Sequence, residues 1–169
     1  MRAPRLLFAP LALLAGAALA ACGSAVAATT PQLPSRILPA AVDGYTVHEE
    51  TDARSGFDVP RTQVDQGRLY TLRAQGAVYA ALQVATLRAD LDTTDVDVQH
   101  DIRKQLGSGS YRYYRVAGQW VADQVRPDVH LFVWFPDRNP GVFEVLTVSN
   151  QLKDPQAFLG ALVRFQEGR

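Results

Sequence analysis

One run of seven residues, Val129–Phe135, constrains the fold more than any other segment of the chain. It reads Val-His-Leu-Phe-Val-Trp-Phe, so apolar side chains would point to both faces of a strand formed there. A strand at the solvent-facing surface of a sheet would instead alternate apolar and polar residues. We therefore expect a central strand, with a further layer of structure over each face of its sheet.

Other segments predict the neighbouring strands. Gln75-Gly76 divides Arg68–Leu87 into two strand-like halves, and glycine there tolerates the positive φ of a tight hairpin turn. A short edge strand is expected near Val42–Val47, whereas Glu49–Gln66 is polar and rich in turn residues and is interpreted mostly as loop. Two or three meander strands are expected in the segments Tyr111–Val116, Gln119–Val125, Val129–Phe135 and Val142–Val148.

Two amphipathic helices complete the predicted domain. In Asp95–Leu106 the apolar residues Val98, Ile102 and Leu106 recur every four positions. The second helix begins at Pro155 after the capping residue Asp154, with an apolar stripe formed by Phe158, Leu159, Leu162 and Phe165. The fold class is thus α+β, with a mostly antiparallel sheet, two packed helices and the order β-β-α-β-β-β-α.

The amino-terminal segment has the pattern of an export signal. Arg2 and Arg5 precede an apolar run, Leu6–Ala21, whose 16 residues are fewer than the ~20 that cross a bilayer. The run ends in Leu19-Ala20-Ala21-Cys22, which resembles the lipobox of bacterial lipoproteins: Leu, two small residues, then Cys. The resemblance implies cleavage between Ala21 and Cys22 and attachment of a diacylglycerol to the Cys22 sulfur. An ordinary secreted protein with an incidental cysteine is the alternative.

This pattern divides the chain into a signal peptide (1–21), a lipidated tether (22–39) and one globular α+β domain (40–169). Pro31, Pro34 and Pro39 keep the tether extended. No second long apolar run follows, so we expect a lipid anchor in the cell membrane with the domain on the extracytoplasmic face. The order of elements is also loosely similar in layout to PsbP/Mog1-like domains, which some envelope lipoproteins carry.

Composition narrows the functional classes. Basic and acidic residues number 17 each, which argues against a nucleic-acid binder. Cys22 is the only cysteine, so a lipidated chain has no thiol for disulfides, metal binding or catalysis. No phosphate-loop, nucleophile-elbow or metal-ligand pattern occurs, so no cofactor or metal is expected and no catalytic residue is assigned. His48, His100 and His130 are interpreted as structural or solvent-facing, and Trp120 and Trp134 as core residues.

One segment favours recognition. Tyr111, Arg112, Tyr113, Tyr114 and Arg115 place aromatic and guanidinium groups on alternating faces beside the Gly107–Ser110 linker. Exposed Tyr and Arg are enriched at binding hot spots, although arginines also keep edge strands soluble. We expect a membrane-anchored binding or protein-interaction module of the bacterial envelope, whose partner is an envelope protein or a small ligand. The alternatives are a small hydrolase that uses His130 or His48 with a carboxylate, and an accessory subunit of an envelope complex.

Overall fold

The computed structural model describes residues 32–33, 37–50 and 63–168. These residues form one antiparallel sheet of eight strands and two helices, which confirms the α+β class. In chain order the elements are β1 (Ala41–Val42), β2 (Tyr45–Glu50), β3 (Val64–Ala74), β4 (Ala77–Leu87), α1 (Val96–Leu106), β5 (Arg112–Val116), β6 (Gln119–Val125), β7 (Val129–Trp134), β8 (Val142–Ser149) and α2 (Pro155–Gln166).

The sheet consists of two four-stranded meanders joined at its centre. Its strand order is β1-β2-β3-β4-β8-β7-β6-β5, and every neighbouring pair is antiparallel. The last strand of the second meander, β8, pairs with the last strand of the first, β4, so that Leu82 lies opposite Leu146. This arrangement leaves β1 and β5 at the two edges of the sheet.

The two helices cover opposite faces of the sheet. Ile102 and Leu106 of α1 pack with Leu131, Val133 and other residues of one face. The helix α2 packs on the residues that alternate with these in β7, namely Phe132 and Trp134. This arrangement confirms that Val129–Phe135 contains a central strand with apolar contacts on both faces.

Local sequence signals determine where helices and turns begin. Asp95 caps α1 by accepting a hydrogen bond from the amide of Asp97, and Asp154 caps α2 through the amide of Ala157 at 2.9 Å. Gln75 and Gly76 adopt φ of 50° and 81° between β3 and β4, as the hairpin prediction requires. Helix and hairpin predictions are therefore confirmed to within a few residues.

The predicted strand order was incomplete. The edge strand β1 has only two residues, and in β2 the alternation of Tyr45 and Val47 with polar residues ends before Glu49, so neither presents a strong alternating pattern. The strand β3 begins at Val64, within the stretch Glu49–Gln66 that was interpreted as loop. That stretch was not recognised as a strand because Asp65 and Gln66 are polar and exposed. The described residues form eight strands, whereas the predicted order β-β-α-β-β-β-α has five. Residues 51–62 of the predicted loop lie outside the described residues.

The two tryptophans differ in environment. Trp134 is 1% exposed and belongs to the core as predicted, whereas Trp120 is 57% exposed, so its assignment to the core was wrong. Trp120 points to the α1 face, where it lines a groove with Ala122, Val133 and Phe135. Ile37 and Leu38 are buried against the α2 side of the sheet, so the core includes residues that precede Ala40. Ala21 and Cys22 lie outside the described residues.

Candidate interaction surface

The edge strand β5 distributes its side chains between the two faces as the alternation predicts. Arg112 lies opposite Asp123 and Tyr114 opposite Val121, on the face covered by α2. Tyr114 is half-buried there, and burial together with the nearby Asp123 carboxylate raises the pKa of its phenol. Tyr114 is thus a packing residue, whereas Arg112 remains exposed.

Tyr113 and Arg115 point to the other face, towards α1. Tyr113 is 55% exposed, and the guanidinium carbon of Arg103 lies 5.5 Å from the centre of its ring. The same guanidinium lies 5.5 Å from the ring centre of Phe135, so Arg103 is held between two aromatic rings. Its Nη1 donates to Gln99 Oε1 at 3.3 Å. The position of Arg103 is therefore determined by packing as well as by charge.

A second arginine–aromatic pair lies beside the first. Arg115 is directly opposite Trp120 in the β5–β6 ladder, and its guanidinium carbon is 4.9 Å from the centre of the indole ring. Stacking of this kind leaves the N–H edge of a guanidinium free to donate hydrogen bonds. We call Arg103, Tyr113, Arg115, Trp120 and Phe135, with the half-buried Tyr111, the aromatic–arginine surface.

The end of α1 is attached to this surface by two hydrogen bonds. The Tyr111 hydroxyl donates to the Arg103 carbonyl at 2.9 Å, and Arg126 Nη2 donates to the Leu106 carbonyl at 2.6 Å. Carbonyls in the last turn of a helix lack a full set of intrahelical partners, and the Arg103 carbonyl accepts from the Gly107 amide at 3.2 Å as well. These bonds position the carboxyl-terminal turn of α1 against β5 and so define the shape of the surface.

Two grooves meet at Arg103 and Tyr113. The inner groove, about 250 Å³, has Ala122 and Val133 at its floor, with Gln99 and Asp137 among its polar lining residues. The outer groove, about 370 Å³, lies between the end of α1 and β5. Its lining includes His100, Arg103, Lys104, Ser108, Ser110 and Tyr113, and no carboxylate. An apolar floor with a few polar groups is typical of binding sites.

Only part of this surface was predicted from the sequence. Tyr113 and Arg115 belong to it, Tyr111 supports it, and Arg112 and Tyr114 face the other side of the sheet. Arg103 and Trp120 were missed. Trp120 sits across the Ala117-Gly118 turn from Arg115, so the hairpin register gives its position once that turn is recognised.

The histidines do not converge on this surface as a catalytic group. His48 and His100 are exposed, and among the described residues His130 is the one histidine within 4.0 Å of a carboxylate oxygen. His130 Nδ1 is 3.6 Å from Asp123 Oδ1, and neither atom has a hydrogen-bond partner among the described residues. This separation exceeds a hydrogen bond, and the Asp123 side chain is only 5% exposed. A general base requires closer approach and access to substrate.

A buried carboxyl group, Glu144, was not identified from the sequence. Burial raises its pKa to about 8, while Gln166 Nε2, which donates to Glu144 Oε2 at 2.7 Å, opposes that rise and the neighbouring Glu167 adds to it. Glu144 borders a cavity of about 110 Å³ with Ile37 and Trp134. A buried glutamate in a predominantly apolar strand gives no periodic signal, so only its burial identifies it.

The described residues lack two features that would indicate other functional classes. They contain no group of three or more His, Cys, Asp or Glu side chains arranged to hold a metal ion. No helix among them is long and apolar enough to cross a membrane. In comparisons with known proteins, no family model, curated protein or solved structure matches the chain.

Proposed function

We propose that the protein is a lipid-anchored, extracytoplasmic module of the bacterial cell envelope that binds a partner protein through the aromatic–arginine surface. The observation that carries the binding role is the pair of exposed aromatic rings, Tyr113 and Trp120, each stacked with an arginine. Soluble domains bury most large aromatic side chains, and exposed Tyr, Trp and Arg are enriched at binding hot spots.

Preorganisation supports the same role. Arg103 is held between Tyr113 and Phe135, and Arg115 is held on Trp120. Side chains that already occupy one orientation lose less conformational entropy when a partner binds. The surface also lies beside two grooves, which would accept side chains of the partner.

The proposed location comes from the sequence. Arg2, Arg5 and the apolar run before Leu19-Ala20-Ala21-Cys22 resemble a lipoprotein signal, and lipid at Cys22 would attach the domain to the membrane. The Pro-containing tether would then separate the aromatic–arginine surface from the lipid headgroups.

The alternative of a small hydrolase rests on His130 and Asp123. It has less support, because the two side chains are 3.6 Å apart and Asp123 is buried. Hydrolysis of ester or amide substrates that is lost in His130→Gln but retained in His100→Gln would favour the enzyme over the binding module.

Photo-crosslinking in intact cells tests the binding role. A photo-reactive amino acid placed at Lys104, beside Tyr113, should crosslink the full-length protein to one discrete partner. The same amino acid at Arg164, an exposed position on α2, is the matched control and should give no such product. A product of equal yield from both positions, or none from Lys104, would contradict the assignment of the surface.

A further inference from the structure

We infer that the partner contributes an extended acidic segment, which adds as a new strand to the free edge of β5 and places alternate side chains in the outer groove. This inference rests on the proposed function, because it names the chemistry of the segment that the aromatic–arginine surface would bind. Addition of a strand to a sheet edge supplies backbone hydrogen bonds, and pockets for alternate side chains supply specificity.

The first observation is the open edge of the sheet. The strand β5 is last in the strand order, and within the described residues only β6 pairs with it. Its outer backbone groups therefore lack strand partners, which makes the edge a template for another chain. Three of its five residues are exposed, namely Arg112, Tyr113 and Arg115.

The second observation is the geometry beside that edge. Side chains of an added strand that point to the α1 face would lie next to Tyr113 and Arg115, since cross-strand neighbours on one face are about 5 Å apart. The outer groove opens at the same place, between β5 and the end of α1. Its volume of about 370 Å³ is sufficient for side chains of the added strand.

The third observation is unbalanced positive charge. On the α1 side of the edge lie Arg103, Lys104 and Arg115, and among the described residues none of them forms an ion pair within 4.0 Å. Four other arginines are paired: Arg68 with Glu49, Arg73 with Glu50, Arg88 with Asp90 and Arg138 with Glu167. The outer groove has no carboxylate among its lining residues.

These charges select between occupants of the edge. Pairing of β5 with β5 of a second copy would place two arginine-containing edges side by side, and like charges near one another destabilise a strand pair. A strand with carboxylates at alternate positions, all pointing to the α1 face, would meet Lys104 and Arg115 with opposite charge and accept charge-assisted hydrogen bonds from them. An acidic peptide therefore fits the edge better than a copy of this chain does.

The inference can be tested by selecting peptides from a random library of 12-residue sequences displayed on phage. The full-length protein is held in detergent micelles as bait. Enriched sequences should carry Asp or Glu at alternate positions. A synthetic peptide of that sequence should bind about tenfold more weakly to the Lys104→Gln/Arg115→Gln double variant. Arg164→Gln, an exposed arginine on α2, is the control and should bind as the wild type does.

Hydrogen exchange distinguishes strand addition from any other contact. The bound peptide should slow exchange of alternate backbone amides in β5, and a version with proline at its centre should not bind. Neutral or basic enriched sequences, no enrichment, or binding that leaves β5 exchange unchanged would each overturn the inference. Binding of oligogalacturonate, with no peptide bound, would indicate that the positive charge binds an anionic glycan, and this result would also overturn the inference.

The two proposals can fail separately. A partner crosslinked through Lys104 by a neutral segment, or by a folded surface without strand addition, would overturn the acidic-strand inference and leave the binding module in place. Absence of any crosslinked partner would contradict the binding module itself.

Discussion

The guanidinium group of Arg115 lies over the indole ring of Trp120, with 4.9 Å between the guanidinium carbon and the ring centre. The two residues are direct cross-strand partners in β5 and β6, so the ladder itself sets their separation. A cation over an aromatic face at an exposed site contributes about 0.5–1 kcal/mol. The pair therefore has a modest effect on folding and a larger one on the shape of the aromatic–arginine surface.

Trp120→Ala should abolish the Lys104 photo-crosslink and change the free energy of unfolding by less than about 1 kcal/mol, because most of the side chain is already in water. Trp134→Ala is the matched comparison. It empties a core position that is 1% exposed and should cost about 3–5 kcal/mol. Urea denaturation of both variants measures these differences. Similar destabilisation by the two substitutions would show that Trp120 acts through folding.

Cys22→Ser should leave an unlipidated precursor that retains residues 1–21, because serine lacks the thiol that receives the diacylglycerol. Gel mobility and labelling of cells with radioactive palmitate measure processing and lipidation together. Ser24→Ala, two residues further along, is the control and should be processed and labelled as the wild type is. Continued fatty-acid labelling of Cys22→Ser would contradict the lipoprotein assignment.

Thr93→Val should destabilise the domain by about 1–3 kcal/mol, since it leaves a buried amide without its acceptor. Thr93 Oγ1 accepts a hydrogen bond from the Gly141 amide at 2.6 Å, which ties the segment before α1 to the β7–β8 connection. Valine has nearly the same shape as threonine, so packing is preserved. Thr94→Val, at the exposed neighbour, should cost less than about 1 kcal/mol. Equal effects in thermal unfolding would contradict the role of the Thr93 bond.

The sequence predicts elements well where one residue pattern decides the structure. The cap at Asp154, the spacing of Ile102 and Leu106, and the Gln75-Gly76 turn each act through local chemistry, and the structure confirms all three. The run Val129–Phe135, which is apolar on both faces, also predicted correctly that both faces of the sheet are covered. These signals depend on neighbours in sequence, or on burial alone.

Features that depend on distant contacts were harder to predict. The second half of β2, His48–Glu50, is polar, and it is part of the strand because it pairs with β3. Trp120 lies on the α1 face of β6, and its exposure depends on how α1 packs on that face, which no local pattern contains. Arg103 joins the aromatic–arginine surface only through the packing of α1 on β7, which brings its side chain to Phe135. In each case the tertiary arrangement decides the role of the residue.

The buried Glu144 should make stability fall as pH rises. Its pKa in the folded protein is about 8, against an ordinary value of 4.5, because burial penalises the charged carboxylate. Between these two values the unfolded chain releases the proton and the folded chain keeps it. The stabilising contribution of the protonated group is therefore fully present below pH 4.5 and is lost as pH approaches 8, a change of a few kcal/mol.

Glu144→Gln removes the titrating group and keeps an amide oxygen that can accept the hydrogen bond from Gln166. The variant should be similar in stability to the wild type near pH 5 and more stable near pH 8.5, where the wild type has to hold a buried negative charge. Urea denaturation at several pH values between these limits measures the difference in free energy of unfolding. If the difference in free energy of unfolding between the variant and the wild type stays constant with pH, a raised pKa at Glu144 is contradicted, however large that difference is.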